Sequence, residues 1–148
     1  MKIIKIDREK KKYLDLLLLA DEEESAIDKY LEKGELYVLE IDNKSVGVIV
    51  VTKESKEVLE IKNLAIDESY QGRGYGRVLI EYVEKKYKDK YDTLLVGTGD
   101  SPLTIPFYEK CGFAYSHKIE NFFVYNYKNP IIENGKQLID MIYLKKEI

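Results

Sequence analysis

The spacing of apolar residues changes along the chain, and each change marks an element. Over Lys2–Asp7, Ile4 and Ile6 alternate with Lys5 and Asp7, which predicts a short strand. The mostly basic run Arg8–Lys12 then opens a helical segment through Ala20. Asp21 with Glu24 three positions later has the form of a capping box, and Ile27, Tyr30 and Leu31 recur at helical spacing before Gly34, which predicts a second helix ending at the glycine. From there the period becomes that of strands: Leu36–Ile41, a turn at Asp42-Asn43-Lys44, then Ser45–Thr52 and Glu57–Ile66, an antiparallel meander. Tyr75, Val78, Leu79, Tyr82 and Val83 form the stripe of an amphipathic helix lying on a sheet. Thr93–Thr98 is a short buried strand. Ser101-Pro102 is an N-cap and N1 pair for a helix that runs to Lys110, with Gly112 as its stop. Phe113–Lys118, Phe122–Tyr127 and Gln137–Leu144 read as strands around an Asn-Pro and an Asn-Gly turn. The order predicts an α+β chain, of α/β type in having a mixed sheet, with about four helices flanking a largely antiparallel sheet.

The 148 residues suit a single domain spanning 1–148, without linker, repeat or low-complexity segment. The 45% hydrophobic content is enough to build a core at this length. A formal net charge of −3 supplies no basic field to hold nucleic acid or an anionic membrane. One cysteine, Cys111, excludes an intramolecular disulfide and a multi-cysteine zinc site, and with His117 as the lone histidine no metal site is expected. The longest apolar runs, Leu16–Ala20 and Val46–Val51, fall far short of the ~18 residues that span a bilayer. The expected location is cytoplasmic.

The most informative stretch runs from Glu60 through Ile66 into Asp67-Glu68-Ser69-Tyr70-Gln71-Gly72-Arg73-Gly74-Tyr75-Gly76-Arg77, a strand passing through a glycine loop into a helix. Alternate glycines let backbone N–H groups approach a bound group, and a helix start adds unpaired donors and the positive end of a dipole. The first helical turn holds no acid, which leaves it open to an external anion such as a pyrophosphate, with Arg73 and Arg77 reinforcing the attraction. A Walker loop would end in Gly-Lys-Ser/Thr, where this chain has Gly76-Arg77-Val78. A dinucleotide fingerprint would need glycine at 77 and would usually follow the first strand. The remaining pattern, Gln71-x-x-Gly74-x-Gly76 after a strand, resembles the acetyl-CoA motif of the GNAT superfamily of N-acyltransferases. Downstream, Ser101 through Phe113 is similar to the second CoA-proximal motif of that superfamily, roughly Asn-x-x-Ala-x-x-Phe/Leu-Tyr-Glu-Lys-x-Gly-Phe. Ser101 and Thr104 stand where the family often has Asn and Ala.

The resemblance covers nearly the whole chain and implies a GNAT-like fold, with the sheet splayed beside the Glu57–Ile66 strand. It implies that Gln71, Gly72, Arg73, Gly74, Tyr75, Gly76 and Arg77 hold the pyrophosphate of acetyl-CoA, that Leu64, Ala65 and Ile66 pair with its pantetheine arm, and that Ser101 offers a hydroxyl to that arm or caps its helix. Tyr108 matches the tyrosine that commonly protonates the departing thiolate, work suited to a phenol of pKa about 10. Glu60 falls where the histone-acetylating members carry a catalytic glutamate. On strict alternation it shares a face with Lys62, Leu64 and Ile66, so it also reads as a salt-bridged strand carboxylate, and many members abstract the proton through water and backbone instead. Cys111 reads as buried filler, since a helix C-terminus raises a thiol pKa, and direct attack of the amine on acetyl-CoA is the expected route.

The resemblance implies an acceptor that is a primary amine, on a small molecule or a protein. Asp21-Glu22-Glu23-Glu24 reads either as a solvated helix start complementing the dipole or as a cation-recruiting rim. Ser116–Tyr127, polar and aromatic together, lies where the family builds part of its acceptor pocket. The strand-like tail at Gln137–Leu144 could pair or swap across a homodimer. The reading from another class is a catalytically silent CoA-binding sensor or interaction module.

Overall fold

The computed structural model describes all residues, Met1–Ile148. Its strands are β1 Lys2–Ile6, β2 Glu35–Ile41, β3 Lys44–Lys53, β4 Val58–Ile66, β5 Thr93–Gly99, β6 Ala114–Ile119, β7 Ile132–Glu133, β8 Lys136–Gln137 and β9 Met141–Glu147. The α-helices are α1 Leu14–Leu17, α2 Glu24–Asp28, α3 Tyr75–Tyr87, α4 Thr104–Lys110 and α5 Phe122–Asn126. The main sheet has seven strands in the order β1-β2-β3-β4-β5-β9-β6, and β7-β8 form a separate hairpin. Only the β4–β5 pairing in it is parallel. The sheet is mixed, with helices on both faces.

Apolar burial divides between those faces. On one, Leu79, Ile80 and Val83 of α3 and Tyr108 of α4 pack against Leu39, Ile49, Leu59 and Ile61. On the other, Leu17, Ile27, Tyr30 and Leu31 pack against Leu36, Val38, Val48, Val50 and Ala65. The arm before β2 is tied down by Lys10, only 5% exposed, whose ammonium donates to the carbonyls of Leu31, Glu32 and Gly34 at 3.0, 3.1 and 2.7 Å. A cation at three carbonyls closing a helical turn satisfies acceptors that the turn leaves without partners.

A bulge in β4 corrects the strict alternation expected there. Val50 pairs with Asn63 and Val51 with Ile61, leaving Lys62 unopposed. The extra residue reverses the facing of everything after it. Leu64 and Ile66 therefore lie on the α3–α4 face with Leu59 and Ile61, while Glu60, Asn63 and Ala65 lie on the α1–α2 face. Glu60 does not share a face with Leu64 and Ile66.

Other expectations shift as well. The helix expected from Asp21 is short, its N-cap is Glu23, and no side chain caps it. Helix α4 begins two residues later than the Ser101-Pro102 pair would place it, with Leu103 at the N-cap. Phe122–Asn126 is helical, not a strand: the Tyr125 amide donates to the Asn121 carbonyl at 3.0 Å, and Asn126 Nδ2 donates to the Phe122 carbonyl across one turn at 2.8 Å. The C-terminal strand β9 inserts between β5 and β6 of its own sheet. Its backbone pairing is thereby used within the chain.

Candidate active site

β4 and β5 pair from Val58–Thr93 to Ile61–Val96 and then part, although β4 runs on to Ile66 and β5 to Gly99. The bulge at Lys62 sits where they separate, and a bulged strand bends and twists away from its neighbour. The gap opens into a cavity of about 370 Å³. Leu64, Ala65 and Ile66 line one wall, Gly97 and Thr98 the other, and Tyr108 projects from α4. The backbone of β4 beyond Ile61 has no partner strand on this side, so an extended ligand arm can pair there as an added strand.

The glycine loop lies at the far end of β4. Gly72 and Gly74 adopt φ of 76° and 87°, left-handed values that side chains disfavour, and Gly74 stands at the N-cap of α3. No backbone acceptor in the chain takes the amides from Gly72 through Arg77, the first intrahelical bond there being Val78 N–H to the Gly74 carbonyl at 3.1 Å. A run of free N–H groups at the start of a thirteen-residue helix is an anion cradle. Gly76 is favoured for a separate reason: a Cβ there would stand 3.0 Å from the Phe107 ring, which would have to shift by a few tenths of an ångström. The side chains around the cradle brace it. Gln71 Nε2 donates to the Ile66 carbonyl at 2.8 Å, Arg77 to the Lys110 carbonyl at 2.7 Å, and the Arg73 guanidinium lies 5.4 Å from the centre of the Tyr70 ring. Tyr75 packs obliquely on Tyr70.

Tyr108 is 8% exposed, held edge-on between Phe107 and Phe113. Burial pushes its phenol above the ordinary tyrosine value, the neighbouring Cys111 adds to the shift, and no hydrogen bond within the chain engages it. Its proton is therefore available to a group entering the cavity. Ser101 is buried but turned elsewhere: its hydroxyl donates to Glu133 at 2.8 Å and accepts from the Leu103 amide at 3.2 Å. Burial also raises the Cys111 thiol, in keeping with filler.

A second chamber of about 250 Å³ adjoins the cleft. The two share Asp21, Ile61, Lys62, Gly97, Tyr127 and Met141. Glu60 lines the second chamber and not the first, is 5% exposed, and pairs with Lys62 at 3.0 Å. Burial raises its pKa against the opposing pull of Lys62. Tyr143, which shares the chamber, is pushed up to about 12 by burial and by Glu60. Tyr108 and Glu60 thus sit on opposite faces of the sheet, joined through the splay.

Asp21 stands at the junction and does not cap α2, whose N-cap is Glu23. Tyr127 donates to it at 2.7 Å and Tyr30 at 3.2 Å, and Asn63 Nδ2 in turn donates to Tyr30 Oη at 3.1 Å. Burial raises the Asp21 carboxyl, with the two tyrosines opposing the shift. The acids beside it are used structurally, Glu24 pairing with Lys11 and Glu23 accepting from the Lys128 amide. Asn63 and Tyr30 are not among the site residues the sequence points to, whereas Tyr127 closes the Ser116–Tyr127 segment expected at the acceptor pocket. The polar Asn63 inside an apolar strand was the one visible signal.

No helix is long and apolar enough to cross a membrane. No cluster of His, Cys, Asp or Glu is placed to hold a metal ion. The family model for the acetyltransferase (GNAT) domain matches residues 32–115. The uncharacterized N-acetyltransferase YvbK of Bacillus subtilis is 40% identical over 132 residues, covering 88% of this chain and 85% of that protein. A GNAT family acetyltransferase of Elizabethkingia anophelis, solved with acetyl-CoA bound, superposes with a TM-score of 0.94 at 40% identity, over 99% of this chain and 97% of that one. An acetyltransferase of Bacillus subtilis solved with CoA gives 0.89 at 36% identity, over 99% and 98%.

Proposed function

The chain belongs to the GNAT acetyltransferase family, and from that premise we propose that it transfers an acetyl group from acetyl-CoA to a primary amine by direct attack with both substrates bound. The observation that carries this reading is the parting of β4 and β5 beyond Ile61 and Val96, with free amides from Gly72 through Arg77 at one end and the Tyr108 phenol inside. The residues fit acetyl-CoA. The amides suit its pyrophosphate, and the unpaired edge of β4 at Leu64–Ile66 suits its amide-bearing arm. Bound there, acetyl-CoA supplies an activated thioester whose departing thiolate needs a proton.

Tyr108 gives that proton. Its position on the α3–α4 face sets the leaving side of the reaction, and the phenol, neutral and free of internal hydrogen bonds, is matched to a thiolate. The amine approaches from the other face, through the second chamber. An ammonium must lose a proton before it attacks, and Glu60, raised by burial and on that face, accepts it, directly or through water. Holding the two substrates on either side of one splay supplies the proximity that direct transfer requires.

Replacing Tyr108 by Phe keeps the packing on Phe107 and Phe113. Thiol release in the presence of a free acceptor amine should fall by roughly 10²- to 10⁴-fold, with CoA affinity nearly unchanged. Wild-type turnover in Tyr108→Phe would remove it as the acid.

A further inference from the structure

The second chamber carries charges whose pairing points to its occupant. Both of its carboxylates are already engaged, Glu60 by Lys62 and Asp21 by the hydroxyls of Tyr127 and Tyr30. Lys29 and Lys33, at and just beyond the C-terminal end of α2, line the same chamber and are exposed, and their ammonium groups make no ion pair or hydrogen bond with the chain. A helix end by itself favours cations. Here, however, the cations border a chamber that opens onto the cleft and is walled by the aromatic rings of Tyr30, Phe122, Tyr127 and Tyr143. Asp21 is met only by neutral hydroxyls at the junction, while the cations that form no ion pair, Lys29 and Lys33, lie on the α2 side, Lys33 within Coulombic reach of Glu60. The junction with the cleft, where the attacking nitrogen must arrive, instead presents Asp21. A polyamine or other polycation would place its second ammonium against these lysines and Lys62, which is repulsive at short range. A molecule with an amine at one end and an anion at the other satisfies both ends.

We propose, resting on the reading of the cleft given above, that the acceptor is an amino carboxylate, held with its amine toward Asp21 and its carboxylate toward Lys29 and Lys33. Asp21 attracts and orients the ammonium, and the proton leaves to Glu60 as the nitrogen attacks. The carboxylate takes no part in bond making. It sets affinity and direction, so the lysines act on KM more than on kcat.

The test is thiol release at saturating acetyl-CoA with the standard amino acids, each beside the amine left when its α-carboxylate is removed. Binding of acetyl-CoA alone, read as a rise in melting temperature, is measured in parallel. The expected result is at least one amino acid whose kcat/KM exceeds that of its decarboxylated partner by about tenfold or more, the size of one good charge-assisted contact. In Lys33→Ala that preference should collapse through a raised KM, and in Lys33→Arg it should survive. A preference for the decarboxylated amine or for spermidine would overturn the proposal, as would equal losses for both partners in Lys33→Ala. Silence of every amino acid while acetyl-CoA still raises the melting temperature would also overturn it and leave the cleft assignment intact. Absence of the acetyl-CoA shift would bring down the cleft reading itself.

Discussion

Tyr127 and Asp21, 106 residues apart in the chain, are joined by a hydrogen bond of 2.7 Å across the junction of the two chambers. It fastens the segment after β6 to the arm before β2, and the Lys128 amide adds a second tie to Glu23 at 3.2 Å. The bond also helps keep a largely buried carboxylate ionised, since burial alone pushes Asp21 toward its neutral form.

Tyr127→Phe keeps the ring and removes that donor. A hydrogen bond to a charged group is worth about 1.5–3 kcal/mol, so denaturant melts should show a loss of that order. The acceptor KM should rise while the affinity for acetyl-CoA changes little. Unchanged stability and KM would mean that the tie is dispensable.

Glu60→Gln separates the carboxylate's role as a base from its cost to the fold. The folded pKa of Glu60 is raised by burial, so the stability linked to its protonation is present below the ordinary carboxylate value and is lost as pH rises through the folded value. The variant should therefore compare best with wild type near neutrality and lose ground on acidification, in melting temperatures taken across that range. If Glu60 is the base, the acidic limb of the kcat/KM profile reports its raised pKa and vanishes in the variant. A limb that survives unchanged assigns the proton to water and backbone.

Gly74→Ala tests the cradle. At φ of 87° a side chain costs about 1–2 kcal/mol, although the space around the position is open. A Cβ would stand where a ligand approaches the free amides, so acetyl-CoA affinity should fall by more than global stability accounts for. Loss of stability alone, with affinity intact, would contradict a cradle at this loop.

Much of this was legible in the chain. Val78, Leu79, Tyr82 and Val83 announce α3 because a helix on a sheet must show one apolar face, and Gly72 and Gly74 announce the loop because only glycine sits easily at those φ values. The facing of Glu60 was hidden because a bulge adds one residue without altering composition, and Lys62 reads like any other strand position. The helical state of Phe122–Asn126 was hidden because aromatic and β-branched residues favour strands until a tertiary contact decides otherwise. Asp21 resembled a cap because its spacing to Glu24 fits one. Only the fold brings Tyr127 and Tyr30 to its carboxylate.

Whether the splay and the glycine loop form an acetyl-CoA site is read from the melting temperature of the purified protein with acetyl-CoA, CoA, ATP and NAD in turn. A ligand that binds only the native state raises the transition by mass action. A rise is expected with acetyl-CoA and CoA, and none of comparable size with ATP or NAD. No rise with either CoA species at millimolar concentration, in a sample that melts cooperatively, would contradict such a site.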